Sequence, residues 1–341
     1  MEYLLGNKQE FLDYLNKLGK KDRIAVFSHA DLDGVASAVL IHEILKQKKM
    51  KIKDLRFLEH KKDMFKESKE RLIRKKINKL FICDISIGNY PEEFEGLRNQ
   101  FDVFLIDHHP SDIKGNNIIQ TKTTDCATFT IYELAKNDFD LSKLDWLVYA
   151  AMVSDGAYRD KYNFQFIKNH YPEITLENLY TSEIGETSKK ISSALIYFKG
   201  KEKKVYNLIL KNRLKSFDKY YNLVEKEVQK IIEDFKKEAE FYPEKNIYFY
   251  YAHPKYSISS TVTTIISTEQ PEKSFVFVSD IDGEPDFYKA SSRSQKGGDM
   301  NLLMKKGIEG LENANGGGHV VASAARFMKK DFEKFKENIL N

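Results

Sequence analysis

Short apolar runs alternating with amphipathic segments set the tightest limit on what this chain can fold into. RIAVFSH (23–29), KIKDLRFLEH (51–60), KLFICDIS (79–86) and DVFLIDHH (102–109) read as strands. GVASAVLIHEILKQ (34–47) reads as the helix after the first of them, and the highly charged 61–78 separates the second from the third. TDCATFTIYELAKN (124–137) and SKLDWLVYAAMVSDGA (142–157) follow the last strand with helical patterns. Strands alternating with helices predict crossover units and an α/β fold with a parallel sheet covered on both faces.

The pattern changes further along. Residues 160–245 hold long Lys/Glu-rich stretches such as FDKYYNLVEKEVQKIIEDFKKEAEFY (217–242), with helical periodicity and no strand signal. Mixed character then returns: NIYFYYA (246–252), KSFVFVSDI (273–281) and PDFYKASSRS (285–294) read as strands, and NANGGGHVVASAARF (313–327) is glycine-rich. At 341 residues the chain exceeds what one core usually holds. The expected division is a first α/β domain over 1–185, a helical linker over 186–242 and a smaller α/β domain over 243–341.

Composition narrows the function classes. With 41% hydrophobic and 13% aromatic residues the chain can build real cores, which argues against wholesale disorder. Charged residues make up 31%, rich in Lys and Glu, a bias common in thermophiles. A net charge of +4 means that any nucleic-acid binding must come from local basic patches. Cys83 and Cys126 lack CxxC spacing, so neither a zinc cage nor a disulfide framework is indicated, and a cytoplasmic location is expected. Leu4, Phe11, Leu12, Leu15 and Leu18 fall on roughly helical spacing among acids, unlike a signal peptide. No apolar run reaches membrane-spanning length.

Acids sit where the apolar runs end. RIAVF leads into Ser28, His29, Ala30, Asp31, Leu32, Asp33 and Gly34; KLFI into Cys83 and Asp84; DVFLI into Asp107, His108 and His109. Asp155 ends the apolar helix pattern of 142–157. Each has an ordinary explanation: Asp31 or Asp33 as a helix N-cap, Asp84 as a turn residue, Asp155 at a helix C-terminus. Together they point elsewhere, because all strand carboxyl ends of a parallel sheet share one edge. Carboxylates crowded there repel one another, and a divalent cation relieves that repulsion. Carboxylate mixed with imidazole suits Mn²⁺ or Mg²⁺, and the donors suffice for two ions, a recurrent device in phosphoryl chemistry.

HADLDG, CDIS, DHHP and VSDG, in that order, resemble the four motifs of the DHH phosphoesterase superfamily. GGGH (316–319) resembles the signature of the DHHA1 domain that accompanies one branch of it, so the likeness runs from Ser28 to Ala325. That branch includes RecJ-like exonucleases, nanoRNases that also dephosphorylate pAp, and cyclic-di-AMP phosphodiesterases. The resemblance implies two Mn²⁺ ions, with Mg²⁺ an alternative, held by His29, Asp31, Asp33, Asp84, His108 and Asp155. Asp84 would bridge them, Asp107 would orient an imidazole, and His109 would face the scissile phosphate. The spacing of His29 is that of archaeal RecJ-like proteins. The DHHA1-like part would grip substrate through Ser292, Arg293, Gly316, Gly317, Gly318 and His319, the glycines offering backbone N–H groups from a turn.

The function this implies is Mn-dependent exonucleolytic hydrolysis of single-stranded DNA or RNA, or of short oligonucleotides, to nucleoside monophosphates. Tyr158, Arg159, Lys161 and Tyr162 are expected to contact bases or backbone. The nearest rival is the same chemistry on pAp or a cyclic dinucleotide. A rival of another class is a scaffold in a replication or RNA-processing complex, although every acid is present. A protein partner of that kind is compatible with catalysis, the long helical stretch would suit homo-oligomerisation, and no membrane association is expected.

Overall fold

The computed structural model describes residues 1–59 and 64–341. The last position expected of the second strand, His60, and the start of the charged stretch lie outside the described residues. Two compact units divide the chain, Met1–Tyr221 and Asn222–Asn341.

The first unit holds strands β1 (Tyr3–Leu5), β2 (Ile24–His29), β3 (Ile52–Leu58), β4 (Lys79–Cys83), β5 (Asp102–Asp107) and β6 (Ile118–Thr121). Their order is β1-β6-β5-β4-β2-β3, parallel throughout except for β1 against β6. Side chains alternate across the sheet with period two. Val26, Phe81, Cys83, Phe104 and Ile106 enter one core, with the helices Lys8–Lys17, Leu32–Gln47, Ala127–Ala135 and Asp145–Ser154. Ala25, Phe27, Leu80, Ile82, Val103 and Leu105 enter the other, with Leu72, Phe94 and Leu97 from the helices Lys66–Arg74 and Pro91–Arg98. Burial on both faces is why the strand sequences are almost continuously apolar.

Three expectations need adjusting. Leu4 belongs to β1 and is 53% exposed, so it lies outside the amphipathic helix, which begins at Lys8. The short strands β1 and β6 carried no strand signal of their own, being three and four residues long. The expected linker over 186–242 is divided differently. Ile191, Ala194 and Leu195 of the helix Glu183–Tyr197, and Val205, Tyr206 and Ile209 of the helix Lys203–Leu210, are buried in the first core. The boundary at 221/222 falls within the helix Phe217–Glu238.

The second unit holds strands β7 (Glu240–Tyr242), β8 (Ile247–Tyr251), β9 (Ser274–Ile281), β10 (Glu284–Ser294), β11 (Asn315–His319) and β12 (Ala322–Met328). Their order is β11-β12-β10-β9-β8-β7, mixed, with only β8 and β9 parallel. Phe249, Val276, Val278, Ala290, Ala325 and Phe327 form a core with Met304, Phe335 and Ile339 of the helices Met300–Gly307 and Phe332–Leu340. Phe275, Phe277 and Ser279 point to the other face, where Ser279 bonds Ser259 of the helix Ser259–Glu269 (2.8 Å). No helix among the described residues is long and apolar enough to cross a membrane.

Candidate metal centre

The parallel register places Ser28 beside Cys83, and Cys83 beside Ile106. The next residues on these strands are His29, Asp84 and Asp107, so an imidazole and two carboxylates fall in one row along the carboxyl edge. Asp84 leaves β4 with φ +57°, a left-handed conformation in which a non-glycine residue is strained. Gly34 lets the next helix begin against the strand end, since a Cβ there would lie 2.3 Å from the His29 carbonyl oxygen. Asp31 caps that helix by accepting from the Gly34 amide (3.0 Å), while its other oxygen meets His29 Nδ1 at 2.9 Å. Asp33 accepts from the amides of Ala127 (2.7 Å) and Thr128 (2.8 Å), the first of a remote helix. Asp155 is the C-terminal cap of Asp145–Ser154.

These side chains converge. His29 Nδ1 lies 3.8 Å from Asp84 Oδ2, and His108 Nε2 lies 3.3 Å from Asp84 Oδ1 and 3.7 Å from Asp155 Oδ2. Three overlapping groups bring ligand atoms within 4.8 Å of one another: His29, Asp31, Asp84; Asp33, His108, Asp155; and Asp84, Asp107, His108, His109. Asp84 and His108 each belong to two of them. Asp107 Oδ1 receives the His108 amide (2.9 Å) and His109 Nδ1 (2.8 Å). A carboxylate only accepts, so Nδ1 of His109 carries the proton in this bond.

The electrostatics are strained. Burial, then the charges of Asp33, Asp31, Asp107 and Asp155, push the Asp84 carboxyl well above the usual carboxylate range. Burial with Asp33 and Asp31 raises Asp155 to about 8, partly opposed by His109 and His29. Burial also works to raise Asp31, but the hydrogen bond and charge of His29 outweigh it and hold Asp31 at about 2. His29 and His109 are raised, because the bonds to Asp31 and Asp107 overcome the burial that would lower them. Buried Asp84 Oδ2 and both ring nitrogens of His108 have no hydrogen-bond partner. Buried polar atoms in native folds rarely go without one. Five carboxylates, three imidazoles and these open donor atoms fit a hard divalent cation such as Mn²⁺ or Mg²⁺. The thiols of Cys83 and Cys126, buried and raised by burial, stand outside the donor set.

Of the substrate-grip residues expected in the second unit, Ser292, Arg293 and Gly317 line a cavity of about 280 Å³, whereas Gly316, Gly318 and His319 do not. Ser260, Thr263, Lys289, Ser291, Arg293, Gly317 and Ala324 line it. Arg293 Nη2 bonds Ser260 Oγ at 3.2 Å, whereas Arg293 Nε and Ser291 Oγ are buried without partners. The glycines form an edge strand, not the expected turn: Gly316, Gly317 and Gly318 pair with Ala325, Ala324 and Ser323. Gly317 and Gly318 hold φ +155° and +149°, and the Gly318 amide is taken by Asn301 Oδ1 (3.1 Å). Ser292 bonds the Ser323 carbonyl and His319 is exposed. Lys289 and Ser291 escaped sequence reasoning, although period two from Arg293 puts both on its face. Near Asp155 in sequence, Tyr158 bonds Tyr180 (2.8 Å), Arg159 stacks on Tyr158, and Tyr162 is 53% exposed.

A two-unit α/β chain with acids and imidazoles gathered at strand carboxyl ends defines a candidate divalent-metal fold. Residues 23–154 match the DHH family, N-terminal domain, and the chain carries a DHH-family domain there. No curated protein matches the chain. Among solved structures it is similar to an exonuclease RecJ bound to manganese (16% identity, TM-score 0.72, covering 97% of this chain and 92% of that one). It is also similar to RecJ from Thermus thermophilus in complex with Mn²⁺ (14% identity, TM-score 0.69), spanning 98% of this chain and 54% of that one. CDC45 from Entamoeba histolytica shares the fold at 10% identity and TM-score 0.61, covering 98% and 99%.

Proposed function

We propose that this protein is a metal-dependent phosphodiesterase that releases nucleoside monophosphates from an end of single-stranded DNA, RNA or short oligonucleotides. The observation that carries the reading is the convergence of Asp84 and His108 with their neighbours at one sheet edge, with buried donor atoms that lack a hydrogen-bond partner among the described residues. The likeness to RecJ structures solved with manganese supports it.

His29, Asp31, Asp33, Asp84, His108 and Asp155 would hold two Mn²⁺ or Mg²⁺ ions, with Asp84 shared. When bound, such ions supply activation of the attacking water and neutralisation of charge on the phosphate. The chain's own residues do the rest. Asp107 accepts from His109 Nδ1 and its charge favours the imidazolium, whose Nε2–H would donate to a phosphate oxygen or the leaving group. Asp31 and Asp33, held by helix amides, keep their oxygens in place before substrate arrives. The C-terminal unit, read as a DHHA1-type domain over the end of the chain, would hold a phosphate of the strand through Arg293 and Ser291.

The test uses purified protein with Mn²⁺ against a 24-mer single-stranded DNA, a 24-mer RNA, a 5-mer RNA, cyclic-di-AMP and pAp, with Asp84→Ala as control. Mononucleotide release from end-labelled long strands, absent in the variant, is the expected result and gives the polarity. Turnover of the 5-mer or small nucleotides alone would move the substrate to the nanoRNase or cyclic-dinucleotide class. Inactivity on every substrate would overturn the catalytic reading in favour of a scaffold.

A further inference from the structure

At the edge of the first sheet opposite the metal centre, where β3 begins, lies a cavity of about 750 Å³ that the phosphodiesterase reading leaves unused. Its walls come from the end of the helix Leu32–Gln47, the start of β3, the helix Lys66–Arg74 with Lys75, and the helix Lys203–Leu210. The lining is sharply one-signed. Its single acid, Asp54, is buried and already paired to Arg71 (3.0 Å) and Lys75 (2.5 Å). Lys49, Lys51, Lys53 and Lys203 also line the cavity, and no carboxylate among the described residues pairs with any of them.

A solvated lysine surface would explain charge alone, but this site is concave and has an apolar floor. Ile52, Tyr206 and Leu210 lie between the cations, and Tyr206 is held by a 2.6 Å bond to His42 Nδ1. Burial lowers the Lys203 ammonium, and the neighbouring Arg71, Arg56 and Lys75 lower it further against Asp54. Asp54, and Glu43 paired to Lys46, thus offset only part of the positive charge on this lining. Lys46 and Leu210 also line a neighbouring cavity of about 720 Å³, whose wall includes Glu43, Asp140 and Trp146, the one tryptophan in the sequence.

We propose that this groove is a second binding site for phosphate-bearing nucleotides, remote from the metal centre, with the lysines taking phosphates and the apolar floor and Trp146 taking bases. Cations around an aromatic-lined trough are what a base-and-phosphate ligand requires, whether it is a free nucleotide or a segment of a strand. Its volume lies within the range of small-molecule sites and far exceeds what inorganic phosphate needs. The site does not depend on the catalytic reading.

Trp146 gives a local readout. Metal-free protein carrying Asp84→Ala, so that no strand is cut, is titrated with ATP, a 12-mer single-stranded DNA and inorganic phosphate while tryptophan emission is followed. Saturable quenching by ATP or the 12-mer, but not by phosphate, is expected. It should weaken at least tenfold in Lys51→Glu/Lys203→Glu, and more mildly in Lys203→Ala should the double variant melt early. Quenching by both nucleotide and strand makes the ligand a nucleotide; quenching by the strand alone makes it a polymer segment. No quenching, or quenching unchanged by charge reversal, overturns the site and leaves the phosphodiesterase reading intact.

Discussion

Asp84 concentrates the problem this chain has set itself. It is buried, left-handed in φ, surrounded by like charge, and has an oxygen without a partner. Its place at a strand tip was legible in the sequence, because an acid after KLFI has no packing use; its strain was not, because φ follows from the tertiary fit. A carboxyl raised by the fold is stabilising when protonated and costs stability once it ionises. The metal-free chain should therefore lose stability as pH climbs from about 4 towards 8, the window set by Asp155. The raised His29 and His109 act in the same direction, since their stabilising charge is lost as pH rises. Melting in EDTA should show this slope, Mn²⁺ should flatten it, and Asp84→Asn should raise the metal-free melting temperature at pH 8 while abolishing the Mn²⁺ response. A second expectation concerns Asp107→Asn. Without the carboxylate the pKa of His109 falls, so if protonated His109 serves the leaving group, the alkaline limb of the rate profile moves to lower pH. An unmoved limb with a lower rate would make Asp107 merely structural.

At the scale of elements, two residues of the same donor set hold opposite structural roles. Asp33 caps the helix Ala127–Ala135 through both oxygens, whereas Asp84 accepts no comparable amides. Removing the Asp33 cap costs about 0.5–2 kcal/mol, which offsets the repulsion its loss relieves, while removing the Asp84 charge relieves repulsion with no cap lost. In EDTA at pH 8, Asp33→Ala should thus melt lower than Asp84→Asn, although both lose the metal response. Equal shifts of one sign would sink this division of labour. The sequence suggested an N-cap role for Asp31 or Asp33 on the helix that follows them. Asp31 fills it, but Asp33 serves a helix some ninety residues away, a pairing that only the packed fold creates. The GGGH segment misled for a related reason: glycines read as a turn, yet φ near +150° is extended backbone open to glycine alone, and β12 supplies the pairing.

For the whole molecule, the alternation of strands and helices was enough to foresee two α/β units, but not where one ends. The residues 186–221 look like a charged linker because their apolar positions are spaced for one buried face, and only packing reveals which core that face joins. The corrected boundary has an energetic consequence. The candidate metal ligands all lie in Met1–Tyr221, and Arg293 with its cavity lies in Asn222–Asn341. A ligand stabilises the unit that binds it by about 2.7 kcal/mol at a concentration one hundred times its Kd. For a unit of this size each kcal/mol moves the midpoint by about 2–4 °C. Calorimetry of the intact chain should then show Mn²⁺ raising one transition by roughly 5–10 °C. Arg293→Ala should leave that shift unchanged while weakening oligonucleotide binding, because the guanidinium and the metal ligands lie in separate compact units. If Arg293→Ala abolished the Mn²⁺ shift, the two units would be one cooperative body and the boundary at 221/222 would carry no energetic meaning.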